Sequence, residues 1–323
     1  DPMIAVLFAG LALAQAQAPP IGPRILIPPG AVDAAPITTH LRLRQGAGLL
    51  RVPKYKMPGW PGRVDLALAG VLEAVEFQGA LSHRTALYGR IGGQAITGIN
   101  VDSAFLHGAQ SSGFIELGAR NAVWIDPSGI VTVRGLVSGT RGAGLSPEPL
   151  ASAFAADRWR TVSALLDGQA LEYVLGTRSG MTAGVGVSGL RALTDTVGLQ
   201  GSVTTRVGRV TYAGADASAS TSRTFASAGV AVDWRPGSVP VGCQIEIHDR
   251  QEQEGWLAGD LNASGSNRAL LAGTVAYTGR QELHLGLTGA ILTPIGLPKK
   301  EQLYTAELTL RYDFGRAPPP GAP

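Results

Sequence analysis

The sequence is poor in charged residues, in cysteine and in long apolar runs, and each of these shortages excludes a class of protein. Charged residues form 16% of the 323 residues, whereas typical soluble domains have about a quarter. Cys243 is the only cysteine, which excludes a disulfide framework and a thiolate metal site. The net charge of +3 is too small to indicate nucleic-acid binding, so we expect no nucleic-acid partner.

The apolar run from Met3 to Ala14 is shorter than the roughly 20 residues that a transmembrane helix needs. Ala14-Gln15-Ala16 supplies the small residues that a signal peptidase reads. We therefore predict a signal peptide over residues 1–16, although no Lys or Arg precedes the run. No later segment is apolar enough to cross a membrane as a helix, so any insertion must use strands.

The dominant pattern is alternation of apolar and polar residues, which predicts amphipathic β-strands. At the end of the chain, the apolar positions are Tyr304, Ala306, Leu308, Leu310, Tyr312 and Phe314. The intervening residues are Thr305, Glu307, Thr309, Arg311 and Asp313. Similar alternation occurs in residues 115–125, 131–138, 181–188 and 283–291. Each such strand has one apolar face and one polar face.

The segments between the strands alternate between short turns and long polar connections. Short turns are predicted at residues 82–84, 126–129, 194–195, 235–238 and 278–281. Long connections are predicted near residues 53–63, 98–111, 141–157, 210–223, 249–268 and 292–302. Short periplasmic turns and long external loops are typical of outer-membrane barrels.

These landmarks predict twelve strands within residues 37–314. Their predicted ranges are 38–52, 64–81, 85–97, 112–125, 130–140, 170–192, 196–209, 224–234, 239–248, 269–278, 282–291 and 303–314. Turns at Asp167-Gly168 and Ser179-Gly180 would instead give fourteen strands. A short helix over residues 147–157, in the loop before these turns, is a further alternative.

Alternation alone does not show which face points inward, because a soluble barrel buries its apolar face and a membrane barrel turns it to lipid. The strand length, the low charge and the predicted signal peptide favour the membrane arrangement. We predict an all-β, closed, antiparallel, up-and-down transmembrane β-barrel. A soluble secreted barrel is the main rival.

Two proline-rich segments flank the predicted barrel. Residues 17–36 contain six prolines, and we expect them to be extended, either as a plug in the barrel or in the periplasm. Residues 315–323 are expected to be a disordered tail.

The polar face predicts a lumen that carries both signs of charge. The candidate lumen residues are Arg42, Arg44, Glu116, Arg120, Arg134, Asp233, Glu246, His284, Glu307 and Arg311. They either contact a solute or pair across neighbouring strands and fill the interior. Twelve strands lie between filled eight-stranded barrels and wide pores, so a narrow or plugged channel is expected.

An outer-membrane hydrolase would need a nucleophile and a base near one rim. His107 is close in sequence to Asp102, Ser103, Ser111 and Ser112. Serines and aspartates are common in loops, and we expect chance to explain this grouping. No metal-binding or phosphate-binding spacing is present in the sequence, so we expect no enzyme activity, metal or cofactor.

Three segments of the sequence resemble known outer-membrane proteins. Leu193-Thr194-Asp195-Thr196-Val197-Gly198-Leu199, and more loosely Tyr277 to Leu283, resemble the long-chain fatty acid transporter and phenol-degradation MetA-like group. The ending Leu308 to Phe314 resembles the terminal strand that the barrel-assembly machinery recognises, although nine residues follow Phe314. This resemblance implies an assembly signal at Tyr304, Leu308, Leu310, Tyr312 and Phe314, and passive uptake of small, often hydrophobic molecules.

The sequence therefore predicts a passive channel or transporter in the outer membrane of a Gram-negative bacterium. Its expected partners are outer-membrane lipid, the barrel-assembly machinery and an unidentified small solute. A non-transporting barrel whose long loops bind a surface partner is the second hypothesis, and a hydrolase is the third.

Overall fold

The structure is a computed structural model of a closed β-barrel. It describes residues 36–55, 62–106, 108–145, 157, 175–194, 196–212, 218–234, 240–249, 269–277, 279, 282–292 and 302–314. The strands are β1 (Thr39–Tyr55), β2 (Val64–Ala80), β3 (Thr85–Gly98), β4 (Ala109–Asp126), β5 (Gly129–Leu145), β6 (Leu175–Ala192), β7 (Val197–Tyr212), β8 (Ser218–Trp234), β9 (Val241–Asp249), β10 (Ala269–Tyr277), β11 (Leu283–Leu292) and β12 (Gln302–Phe314). Helix α1 covers Val101–Leu106.

Every strand pairs antiparallel with its neighbour in sequence, and β1 pairs with β12 to close the barrel. The prediction of a twelve-stranded, closed, antiparallel barrel is confirmed. The fourteen-strand alternative is wrong, because β5 pairs directly with β6 as far as Leu145↔Leu175. Ser179-Gly180 lies inside β6 and forms no turn. Asp167-Gly168 and the proposed helix over 147–157 fall almost wholly outside the described residues.

Several strands are longer than the sequence pattern predicts. β4 begins at Ala109 and β5 continues to Leu145, although both segments were assigned to long connections. Small and polar residues obscure the alternation there, while the backbone ladder still provides hydrogen-bond partners on both sides. The connection between β7 and β8 is likewise reduced to residues 213–217.

Helix α1 occupies the connection between β3 and β4 and covers an open edge of β2. Asn100 caps it, since the side-chain oxygen of Asn100 accepts the Ser103 N–H at 2.8 Å. β3 ends opposite Leu68, which leaves the backbone of Ala67 without a strand partner on that side. Ala67 N–H donates to Ser103 Oγ at 2.6 Å, and Ile99 N–H donates to the Ala67 carbonyl at 3.0 Å. The helix therefore satisfies backbone groups that would otherwise form a bare edge.

Many large apolar side chains in the middle of the strands lie on the outside of the barrel. Ile115, Leu117 and Val137 are each more than half exposed, at 53%, 56% and 55%. Arg120 and Arg311, by contrast, are only 2% exposed. The barrel thus has the reverse of a soluble protein's polarity, as the membrane arrangement requires.

Short turns and both barrel termini lie at one end of the barrel, which we call the turn end. Thr39 pairs with Phe314, and His40 pairs with Gln78 next to the turn over residues 81–84. In the turn between β4 and β5, Asp126 Oδ1 accepts the Ser128 N–H at 2.7 Å. The predicted turn over residues 235–238 is outside the described residues.

Two apolar clusters lie at opposite ends of the interior. At the turn end, Ile37 is 2% exposed and packs with Ala80, Ala86, Ala122, Ile130 and Leu190. The cluster at the other end, which we call the loop end, contains Leu50, Val52, Leu66, Leu68, Leu72, Leu270 and Leu303. Between them lies the charged layer of the lumen.

Residues 36–38 run inside the turn end, because Gln78 donates to the carbonyls of Pro36 at 3.0 Å and Thr38 at 2.8 Å. The predicted signal peptide, residues 17–35 and the tail lie outside the described residues. In the described part of the chain, no helix is both long and apolar enough to cross a membrane.

Candidate lumen site

All ten candidate lumen residues lie at inward-facing strand positions, where the closed barrel shields them. Arg44 is partly buried and the other nine are buried. They lie on seven of the twelve strands, namely β1, β4, β5, β8, β9, β11 and β12. Their role in contact with a solute stays a prediction.

Arg44 and Glu307 form a close ion pair across the seam between β1 and β12. The Nε of Arg44 donates to Glu307 Oε1 at 2.7 Å, and its Nη2 donates to Oε2 at 2.6 Å. This two-pronged geometry is the strong form of an arginine–carboxylate pair. Gly46 is the direct cross-strand partner of Glu307, so the arginine reaches diagonally across the seam between the first and last strands.

A second cluster surrounds Asp313 near the turn end. Arg311 donates to Asp313 Oδ1 through Nη2 at 2.8 Å, and the ring nitrogen Nε2 of His284 lies 3.2 Å from Oδ2. Thr38 donates to the same carboxylate at 2.8 Å. The neighbouring His40 Nε2 lies 3.2 Å from Glu76 Oε1. This cluster ties β1, β2, β11 and β12 together beside the incoming residues 36–38.

The third cluster centres on Glu116 of β4. Arg206 Nη1 lies 2.9 Å from Glu116 Oε2, and Tyr88 donates its hydroxyl to Oε1 at 3.1 Å. The guanidinium of Arg120 lies over the Tyr88 ring, 4.7 Å from its centroid. Cation–π contact of this kind adds to the packing of the arginine. The interior is therefore an interlocked set of opposite charges rather than a ring of one sign.

Inward-facing glycines make room for long side chains that bridge strands two apart. Arg134 donates to Thr204 across Gly186, and the three residues form one continuous row in the pairing of β5, β6 and β7. Gln200 donates to Glu246 at 2.9 Å across Gly229 of β8 in the same way. A side chain on the middle strand would block either bridge, so the glycines are part of the site.

The sequence pattern missed several members of the charged layer. Glu76, Arg206 and Asp313 each contact other residues of these clusters, although they were not predicted as lumen residues. Asp313 stands at a polar position of the β12 alternation, so the signal was present. Glu76 follows Glu73-Ala74-Val75, where the alternation of β2 is broken, and only the barrel shows that Glu76 faces inward.

The residues predicted to form the assembly signal lie mainly on the outer face of β12. Tyr304, Leu308 and Tyr312 are exposed, at 49%, 46% and 44%, whereas Leu310 and Phe314 are partly buried. The rings of Tyr312 and Phe314 are packed edge to face with centroids 4.9 Å apart. Recognition of this strand by assembly machinery stays a prediction.

Two of the three serines that are close to His107 in sequence form hydrogen bonds with other described residues. Ser103 is fully buried and its hydroxyl accepts the Ala67 N–H. Ser112 accepts a hydrogen bond from Gln94 at 2.9 Å, and Ser111 is exposed on the neighbouring position of β4. His107 itself is outside the described residues. Among those residues, no group of three His, Cys, Asp or Glu side chains could hold a metal ion.

A methyl group at Gly186 is expected to destabilise the barrel. Its Cβ would lie 2.6 Å from Thr204 Oγ1 and 2.9 Å from Arg134 Nε, so the bridge must open. Overpacking of this kind costs about 1–3 kcal/mol. The measurement is the urea midpoint of Gly186→Ala folded in lipid vesicles.

Gly135→Ala is the matched control, because a Cβ there would meet nothing within 4 Å. It is expected to leave the urea midpoint unchanged or slightly higher. Equal midpoints for the two variants would show that Gly186 does not make room for the Arg134 bridge.

An apolar outer surface around a closed barrel with a charged interior defines the class of transmembrane β-barrels. No family model matches the chain, and no curated protein matches it. Among solved structures it is similar to the translocator domain of the autotransporter NalP from Neisseria meningitidis, with a TM-score of 0.53 and 9% identity, over 86% of this chain and 88% of that one.

Two channels also match, with lower structural agreement. The toluene transporter TodX of Pseudomonas putida gives a TM-score of 0.40 at 9% identity, over 87% of this chain and 90% of that chain. The KdgM porin gives 0.38 at 8% identity, over 85% and 99%. At 9% identity the likeness to NalP shows the fold alone, which is that of a closed antiparallel β-barrel. Membership of the fatty acid transporter or MetA-like group stays a prediction.

Proposed function

We propose that the protein is a passive channel for small molecules in the outer membrane of a Gram-negative bacterium. The observation that carries this proposal is the division of the strands into an apolar outer face and a charged inner face. Apolar side chains that are about half exposed gain nothing in water but match the hydrocarbon of a bilayer. The charged interior gives the polar groups of a small solute partners that replace its water.

The charged side chains of the lumen pair with one another, and their contacts across the interior favour a narrow path for the solute. Arg44–Glu307, Arg206–Glu116 and Arg311–Asp313 each combine opposite signs, so no strong preference for anions or cations is expected. Apolar clusters at both ends of the lumen favour small solutes that tolerate contact with leucine and isoleucine. This agrees with the hydrophobic molecules that the sequence resemblance implies.

Conductance of the purified protein in a planar bilayer tests the proposal, and adjacent cysteines identify the path. Ser202 faces inward and is buried, whereas Val203 faces outward and is 51% exposed. In a Cys243→Ser background, an anionic thiol reagent is expected to reduce the conductance of Ser202→Cys at least twofold. Val203→Cys is the matched control and is expected to show no change, since lipid shields it.

Complete absence of conductance and of liposome swelling would remove the channel while leaving the barrel intact. Equal effects of the reagent at positions 202 and 203 would show that current does not pass through the lumen.

The surface-partner hypothesis rests on the connections near residues 98–111, 141–157 and 249–268. The structure describes the first of these apart from His107, as helix α1 and the start of β4. Residues 146–156 and 250–268 are outside the described residues, as is His107 of the hydrolase hypothesis. No contact among the described residues favours either function, so both stay predictions.

A further inference from the structure

One carboxylate lies on the outer face of the barrel wall instead of on the charged inner face. Glu73 is exposed near the middle of β2, on the outward side, between Val71 and Val75, which are 54% and 40% exposed. The other charged side chains at outward positions of the described strands lie close to strand ends. They include Arg51, Asp65, Arg141, Arg191 and Arg209. Ends of that kind reach the interface with water, whereas the middle of β2 does not.

Among the described residues, Glu73 forms a hydrogen bond with another outward-facing polar residue. Gln45 is its direct neighbour on β1 and donates from Nε2 to Glu73 Oε1 at 3.3 Å. This bond uses one of the two amide N–H groups of Gln45 and one carboxylate oxygen. The pair therefore presents a donor and an acceptor side by side, in a belt where lipid tails can satisfy neither.

Several residues beside this pair are small, although the exposed Val71 and Val75 flank Glu73 itself. Ala47 pairs with Val71, and Gly93 pairs with Glu73 itself. Ala69 and Ala95 extend this group on the outward positions of β2 and β3. Small residues let two membrane-embedded backbones approach closely, which brings polar side chains within hydrogen-bond reach.

We propose that the outer face of β1, β2 and β3 is the contact surface for a second copy of this chain. A two-fold contact places the same patch on both sides, so the Glu73 of each copy meets the Gln45 of the other. The free N–H of each amide then donates to the opposite carboxylate, which gives four bonds around one axis. The chemistry is self-complementary, and this is why a second copy suits it better than a partner of one charge.

Association of the full-length protein in mild detergent tests the contact. Native mass spectrometry is expected to detect a two-chain species for the unchanged protein. Glu73→Leu should lower the two-chain fraction at least tenfold, since the carboxylate is lost while the residue remains suited to lipid. Glu73→Gln keeps a carbonyl oxygen that can accept both bonds and should keep at least half of the two-chain fraction.

Thr205→Val is the matched control on the opposite wall. Thr205 also makes an outward-facing hydrogen bond, to Thr224 at 3.0 Å, and its replacement should leave the two-chain fraction unchanged. Each variant is first checked for an unchanged heat-modifiability shift, so that loss of association is not loss of the barrel.

Disulfide trapping in membranes gives an independent test. In a Cys243→Ser background, Ala47→Cys should form a covalent dimer with itself on mild oxidation, whereas Ala226→Cys on β8 should not. A single-chain mass for the unchanged protein without dimer trapping at position 47 overturns the proposal. So does a position-47 adduct with a different protein. Neither readout requires conductance, so the channel proposal and this contact can fail separately.

Discussion

Replacing Glu307 by Leu is expected to destabilise the barrel by about 3–5 kcal/mol, because it leaves a buried arginine without its counter-charge. Both nitrogens of the Arg44 fork bond to this carboxylate, at 2.7 and 2.6 Å. The two side chains are only 10% and 7% exposed, so water cannot readily replace the lost partner. The pair also joins β1 to β12, where the barrel closes.

The measurement is the free energy of unfolding by urea of the protein folded in vesicles. Gln302→Leu on the same strand is the control, since Gln302 is exposed, and it should change the free energy by less than about 0.5 kcal/mol. The double variant Arg44→Met/Glu307→Leu should recover most of the loss, because it removes both charges. A loss below about 1 kcal/mol for Glu307→Leu would contradict the geometry of a shielded pair.

An arginine in place of Val137 is expected to cost about 2–4 kcal/mol, the penalty for a cation at the middle of a lipid-facing barrel surface. Val137 is at the centre of β5 (Gly129–Leu145) and is 55% exposed on the outer face. In a soluble barrel the same change would place a charge in water at little cost. This variant therefore tests the membrane arrangement directly.

Leu145→Arg is the matched control on the same strand and the same face. Leu145 is 50% exposed but ends β5, where the penalty falls to about 0–1 kcal/mol. The measurement is the urea-unfolding free energy of both variants in vesicles of one lipid. Indistinguishable values would show that the middle of the outer face does not contact hydrocarbon.

The low charge and high glycine content of the chain have a structural explanation in the lumen. In two places a long side chain lies across a strand at an inward residue that lacks a Cβ, namely Gly186 and Gly229. The bridged residues are far apart in sequence: Arg134 and Thr204 by 70 positions, and Gln200 and Glu246 by 46. Few charges are therefore enough to tie several strands together.

Much of the fold was predictable because alternation is a local property of an extended chain. Each residue turns its side chain to the face opposite its neighbour's, so Leu308, Thr309 and Leu310 were assigned correctly without knowledge of β11 or β1. The same argument placed Arg134 and Arg311 on the inner face. The prediction was weakest in β2, where Leu66, Leu68 and Leu72 face inward and give both faces an apolar character.

The sequence by itself determined the alternation of apolar and polar faces and so favoured the class of fold, and it predicted twelve strands while leaving fourteen as an alternative. Only the tertiary structure decided which side chains meet. Arg44 and Glu307 are 263 residues apart, and they pair because the register of β1 against β12 closes the ring. The outward pair of Gln45 and Glu73 likewise depends on the register of β1 against β2. Register in a hairpin depends on the turn and on which face is buried, whereas β1 and β12 are joined by no turn, so no local pattern contains their register.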